Sequence, residues 1–149
     1  MNNIIYYNKI NKDNEVFFKK NKSDLGIDLI SLGGTVPRKS FGLIPFNLIL
    51  DYKKIYKKYK VGAFIFPRSS LYKKYKCILA NSVGVIDPDF NGRADIVSAL
   101  LFNTSNADVV ISSGDRLCQL IFLRIFDKFD LKIKNKANSK SRGGFGSTG

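Results

Sequence analysis

An all-β sandwich or barrel is the fold class that this sequence predicts, and three observations predict it. Short apolar or alternating segments recur between turn signals, they are rich in Ile, Val, Phe and Tyr, and none sustains a helical period. At 149 residues the chain fits one domain, with a core that needs no metal or disulfide staples.

In chain order, "NIIYY" and "EVFF" open the series, followed by "GIDLISL" and "FGLIPFNLIL". "DYKKIYKKYK" carries Tyr and Ile at every third or fourth position and reads as a one- or two-turn helix or a polar connection, as do the few residues after Ser69. "VGAFIF", "CILA" and "SVGVI" are further strands. "DPDFNGR" then joins two apolar strands: Asp-Pro starts a turn, and Asn91-Gly92 tolerates positive φ, so a tight hairpin is expected here. Pro88 breaks the alternation, so Asp87 and Asp89 need not share a face; one can look into a pocket while the other serves the turn. "ADIVSALLF" and "DVVI" continue the pattern. "LCQLIFLRIF" is apolar on both faces except for Gln119 and Arg124, which places it mid-sandwich or at a subunit interface and makes Gln119 a satisfied core amide or a ligand contact. Beyond it the pattern decays into charged and small residues, so a β-sandwich domain is expected over 1–127 and a flexible C-terminal arm over 128–149.

Composition narrows the chemistry. The chain has no histidine, which excludes Ser-His-Asp triads, Cys-His pairs and histidine zinc sites, and leaves a carboxylate as the base for any reaction near neutral pH. Its two cysteines sit in apolar runs and read as buried thiols. No apolar run approaches the roughly 20 residues of a membrane span, and the start lacks a secretory apolar stretch, so a soluble, intracellular protein is expected, in cytoplasm or nucleus, or in a host cell if viral. The net charge of +13 fits a polyanionic partner, but the Lys, Asn, Ile, Phe and Tyr bias is equally what an AT-rich gene encodes.

Five separated stretches, in order, resemble the five motifs of the homotrimeric dUTPases: "LGIDLIS", "PRSSL", "NSVGVIDPDFNG", "GDRLCQLIF" and "RGGFGSTG". Together they span nearly the whole chain. The resemblance implies a jelly-roll-like sandwich that assembles as a trimer with active sites at subunit interfaces. It implies hydrolysis of dUTP to dUMP and pyrophosphate, which limits uracil incorporation into DNA and supplies dUMP for dTMP synthesis. It also implies a Mg2+ ion held chiefly by the triphosphate and water. Asp87 matches the carboxylate that activates water for attack on the α-phosphorus, a role open to any carboxylate within hydrogen-bond reach of that water. Arg68, Ser69 and Gln119 match the phosphate-holding residues, with Ser70 a further hydroxyl. Asp28 matches the first-motif acid, which supports the metal's water shell. Asn81 and the backbone at Val83 and Gly84 match the uracil-reading strand. Phe90 stands where the family usually has a Tyr packed on the deoxyribose. In the arm, Phe145 matches the ring laid over uracil, and Gly146, Ser147 and Thr148 match donors to the γ-phosphate. Lys140 holds the family's usual cation spacing before that Phe and Arg142 sits closer, so either can serve the triphosphate.

Two departures stand out: Arg93 follows the glycine where Glu or Gln is common, and the segment 93–102 looks longer than the pattern. Two rival readings stay in view. The related dCTP deaminases, including bifunctional forms, use a Glu on the strand after the third motif, where this chain offers only Asp95. A dUTPase-like trimer could instead act as a regulatory protein, with nucleic acid as a further, unrequired partner for its basic surface.

Overall fold

The computed structural model describes residues 6–13, 15–18, 22–126 and 130–132. Twelve strands and two short helices occupy them: β1 (Tyr6–Asn8), β2 (Phe17–Phe18), β3 (Ile27–Ile30), β4 (Gly34–Val36), β5 (Phe41–Pro45), β6 (Ile49–Asp51), α1 (Lys53–Tyr59), β7 (Val61–Pro67), α2 (Leu71–Tyr75), β8 (Cys77–Leu79), β9 (Gly84–Ile86), β10 (Ser98–Asn103), β11 (Val109–Ile111) and β12 (Arg116–Arg124). A five-stranded sheet runs β2-β3-β12-β7-β9 and a three-stranded sheet runs β5-β10-β8, with the pairs β1-β6 and β11-β4 beside them. Every pairing is antiparallel. One core joins the sheets: Leu29, Ile65, Leu117 and Leu120 from the larger meet Ile44, Leu79 and Leu101 from the smaller. Burial of such side chains, worth roughly 1.5–3 kcal/mol each, is what holds the layers together.

The all-β expectation holds, and of the two alternatives left for "DYKKIYKKYK" and the residues after Ser69, a short helix or a polar connection, both take the helix. Neither has an acidic residue in its first turn, and each ends on a lysine in the left-handed conformation, Lys60 and Lys76, whose N–H bonds back to a tyrosine carbonyl. "LCQLIFLRIF" is indeed central, since β12 is paired along both edges. The cysteines are buried free thiols, and burial pushes Cys118 up to about 12.

The expected hairpin is not there. β9 pairs with β7 in the five-stranded sheet, whereas β10 pairs with β5 and β8 in the other, so residues 87–97 cross between layers. The turn closes earlier, with the Phe90 N–H donating to the Asp87 carbonyl at 3.0 Å, and Pro88 presets the backbone at its second position. The Asp95 carboxylate then accepts the Gly92 N–H at 2.7 Å and turns the chain again without positive φ at Asn91 or Gly92. A carboxylate cap has taken over the work that a left-handed Asn-Gly pair would have done.

Two buried amides hold the irregular parts. Asn47 accepts the N–H groups of Ile10 and Asn11 and donates to the Asn11 carbonyl, tying the first residues to the core. Asn103 donates to the carbonyls of Val36 (3.0 Å) and Ala107 (2.8 Å) and accepts both the N–H and the hydroxyl of Ser105. Its side chain is fully enclosed, so removing the amide strands several partners at once. Asn103→Leu is expected to lower unfolding stability by about 2–4 kcal/mol, read as a shift of the urea midpoint with an unchanged slope.

Candidate active site

The β7–β9 edge and the crossover that follows it build a pocket. Asn81, Gly84, Asp87 and Phe90 line it together with Ile96 and Ser98 from the end of the crossover, around a volume of about 340 Å³. That lies at the small end of the range for small-molecule sites, roughly 300–1,000 Å³. Gly84 faces Ile65 so closely that an added Cβ would stand 3.1 Å from its side chain. Val83 is half-buried and does not line the pocket. Between it and Asn81 lies a tight backbone reversal: Ser82 takes φ 61°, the Val83 N–H donates to the Asn81 carbonyl at 2.6 Å, and the Ser82 N–H donates to Leu79. A non-glycine residue in the left-handed region costs about 1 kcal/mol or more, and such strain gathers at binding sites. Sequence reading missed Ser82, because serine carries no signal for that conformation.

Phe90 is 40% exposed with its ring on the pocket wall, and Asp87 is exposed at the pocket's edge. Asp87 also borders a second cavity of about 400 Å³, shared with Lys53, Tyr56, Lys57, Pro88 and Asp89. Asp89 pairs with Lys53, whose hydrogen bond and charge hold the Asp89 carboxyl below its ordinary value. Of the two acids of "DPDFNGR", only Asp87 lines the pocket with Asn81 and Phe90, and the Asp89 carboxylate pairs with Lys53 instead of capping the turn.

The remaining expected residues lie elsewhere in the chain. Arg68, just past β7, places its Nε 3.0 Å from one Asp28 oxygen, and Arg116 places Nη1 3.3 Å from the other. Arg68 also donates to the Arg116 carbonyl at 3.0 Å. A register shift between Arg116 and Gln119, where three steps along β12 meet two along β3, brings Arg116 and Gln119 to the same carboxylate neighbourhood. Gln119 lies over Gly26, where a Cβ would come within 1.9 Å of its Oε1, and reaches the Pro67 carbonyl at 3.4 Å. It is thus neither a core amide nor fully occupied. Ser69 is exposed in the turn, and Ser70 starts α2 without making a side-chain cap bond. Arg116 was legible as a charge in "GDRLCQLIF", but its role depends on the bulge, which no pattern of residue types announces.

The two groups cannot meet within one chain. Asp28 sits opposite Gln119 and, across β12, at the level of Phe66, whereas Asp87 follows Ile86 at the level of Ala63. Three strand spacings and about four residues of rise put Asp87 roughly 20 Å from Asp28. Lys140, Arg142, Phe145, Gly146, Ser147 and Thr148 fall outside the described residues.

The fold and this pocket place the molecule among all-β sandwich proteins with a small-molecule-sized cleft at a sheet edge. A profile of the dUTPase family matches residues 12–149, and the chain belongs to that family. Deoxyuridine 5'-triphosphate nucleotidohydrolase of Desulfitobacterium hafniense is 44% identical over 90 residues, 60% of this chain; the chain spans only 58% of that relative's length. The SPbeta prophage-derived deoxyuridine 5'-triphosphate nucleotidohydrolase YosS of Bacillus subtilis is 32% identical over 144 residues, covering 95% of this chain and 96% of its own. By structure, Staphylococcus bacteriophage 80alpha dUTPase, solved as a variant with dUpNHpp, has a TM-score of 0.78 at 17% identity and covers 99% of both chains, a likeness of fold.

With side-chain exposures of 16%, 28% and 35% for Asp28, Arg68 and Arg116, the arginine pair is intermediate between surface and buried ion pairs. Asp28→Asn removes the carboxylate charge that Arg68 and Arg116 share and is expected to cost about 1–3 kcal/mol. Urea unfolding at low and high salt checks this, the loss shrinking as salt screens the arginines.

Proposed function

We propose that this protein hydrolyses dUTP to dUMP and pyrophosphate, at sites shared between the chains of a homotrimer. The observation that carries this reading is the pocket that gathers Asp87, Asn81, Gly84 and Phe90. The Asn81 amide and the β9 backbone read the edge of uracil; cytosine would leave them with unmatched donors and acceptors. The Phe90 ring packs on the deoxyribose and leaves no room for a 2′-hydroxyl. At the pocket edge the Asp87 carboxylate orients a water and takes its proton as the oxygen attacks the α-phosphorus in line, displacing pyrophosphate.

Phosphate binding falls to Arg68, Ser69, Ser70 and Gln119 of a neighbouring chain, because those of the same chain are too far from Asp87. Arg68 supplies permanent forked charge, and Gln119 an amide with spare capacity. An apolar outer face supports assembly: Leu43 and Leu100 pair across β5 and β10, with Phe41 and Ile78 beside them, and these four are 40–65% exposed. Leu43 also lines the pocket, so a partner seated on that face closes against the substrate.

Among the described residues no three Asp, Glu, Cys or His side chains gather as a metal cage. Mg2+ suits such a setting, since it commonly takes phosphate and water oxygens with one or two carboxylates, and when bound it neutralises charge on the triphosphate. Asp28 is the carboxylate at the arginine cluster and would reach the ion through water, sharing its oxygens with Arg68 and Arg116. We further assign 1–127 to the sandwich and 128–149 to an arm that closes the site, with Phe145 over uracil, Gly146, Ser147 and Thr148 on the γ-phosphate, and Lys140 or Arg142 entering with them. The product dUMP would feed dTMP synthesis, and removal of dUTP would limit uracil in DNA.

Asp95 argues against deamination: its carboxylate is taken by the Gly92 N–H, so the acid after the third motif holds a turn. Release of pyrophosphate from dUTP, with little from UTP or dTTP and no ammonia from dCTP, is the expected profile. Asp87→Asn should slow dUTP turnover by roughly 10²–10⁴-fold. Deleting 140–149 should leave a folded trimer with severely reduced turnover. Parental rates in the Asp87→Asn variant would refute the mechanism, and ammonia from dCTP would move the chain to the deaminases.

A further inference from the structure

Three consecutive residues, Asp51, Tyr52 and Lys53, grip the segment that carries Asp87. The Asp51 carboxylate accepts the Asn91 side-chain amide at 3.3 Å, the Tyr52 hydroxyl donates to the Ile86 carbonyl, and the Lys53 ammonium pairs with Asp89. The contacts fall before and after Asp87, so the junction of β6 and α1 brackets the carboxylate on both sides. Nothing in the five-motif pattern marks this junction.

The three contacts are not equal. Lys53 and Asp89 have side chains 45% and 78% exposed, and such pairs are worth little in water. Asp51–Asn91 is longer and half-exposed. Tyr52 is 1% exposed, with its ring edge-on to Phe122 at 6.0 Å between centroids. A hydrogen bond in that dry setting is stronger, and its loss leaves a buried carbonyl without this partner. Ala63 is the cross-strand neighbour of Ile86. The hydroxyl therefore ties the β6–α1 junction to the last residue of β9, at the point where the chain leaves the sheet. Burial raises the Tyr52 pKa, and the nearby Asp87 charge adds to the rise, so the hydroxyl remains a donor at neutral pH.

We propose that Tyr52 is a positioning residue for Asp87: its hydroxyl, clamped on the Ile86 carbonyl, sets the direction in which the Asp87 carboxylate leaves the strand and enters the pocket. The inference rests on the role of Asp87 proposed above. A tyrosine serving the core alone would use only its ring, and its hydroxyl would have no bearing on Asp87.

The test uses the full chain with Tyr52→Phe, alone and combined with Asp87→Asn. Pyrophosphate release from dUTP should show kcat reduced roughly 10- to 100-fold. KM should stay within about twofold, and the double variant should be no slower than Asp87→Asn alone. NMR couplings of the Asp87 β-protons, read without substrate, should report one rotamer in the parent and averaging in Tyr52→Phe. An unchanged kcat, a parental rotamer in the variant, or outright loss of the fold would overturn the proposal. If the parent releases no pyrophosphate, the dUTP reading fails by itself, and the rotamer comparison alone decides the clamp.

Discussion

Strand β12 must satisfy its backbone on both edges while burying Leu117, Cys118 and Leu120 against the second sheet, and the rest of the molecule is arranged around that demand. A nine-residue strand in this position needs a long partner, and β7 supplies one in register, Val61 to Pro67 against Arg124 to Cys118. On the other edge β3 follows with a bulge. The bulge lets Arg116 and Gln119 approach Asp28 from neighbouring points of the same segment. Arg68 arrives because it follows the last residue of β7.

The same arrangement exports Asp87. With both edges of β12 taken, β9 can only add beyond β7, which leaves its carboxylate across the sheet from the arginines. The two groups differ in what they offer: one has a carboxylate with a pocket, the other has charge with an amide. In the proposed reaction, positioning and electrostatic stabilisation act on one phosphorus, so the proposal calls for two copies. The apolar face running from Ile78 to Leu43 gives them a surface on which to meet.

Much of this was legible in the sequence where local chemistry decides the outcome. The apolar runs "ADIVSALLF" and "LCQLIFLRIF" located β10 and β12, "DYKKIYKKYK" was legible as a short helix or a polar connection, and apolar flanks marked both cysteines as buried. The "DPDF" turn was legible because Pro presets its backbone. What failed was inference across distance. Asn91-Gly92 has hairpin chemistry, but the core has to draw β10 into the other sheet, and Asp95 supplied a different turn. The amides of Asn47 and Asn103, the bulge in β12 and the Tyr52 contact each depend on partners far away in sequence, so no residue pattern nearby reveals them. The motif resemblance named Asp28, Arg68, Asp87 and Gln119, and only the geometry divides them into two groups.

The division of the site between chains is tested most directly by mixing subunits. Asp87→Asn and Arg68→Ala chains, each inactive alone, would be refolded together in equal amounts and assayed for pyrophosphate release from dUTP. If Asp87 and Arg68 serve one site from different chains, random trimers contain unblemished sites, and about a quarter of parental activity should return. If each chain built its own site, every site would carry one defect, and a mixture no more active than its components would contradict the account.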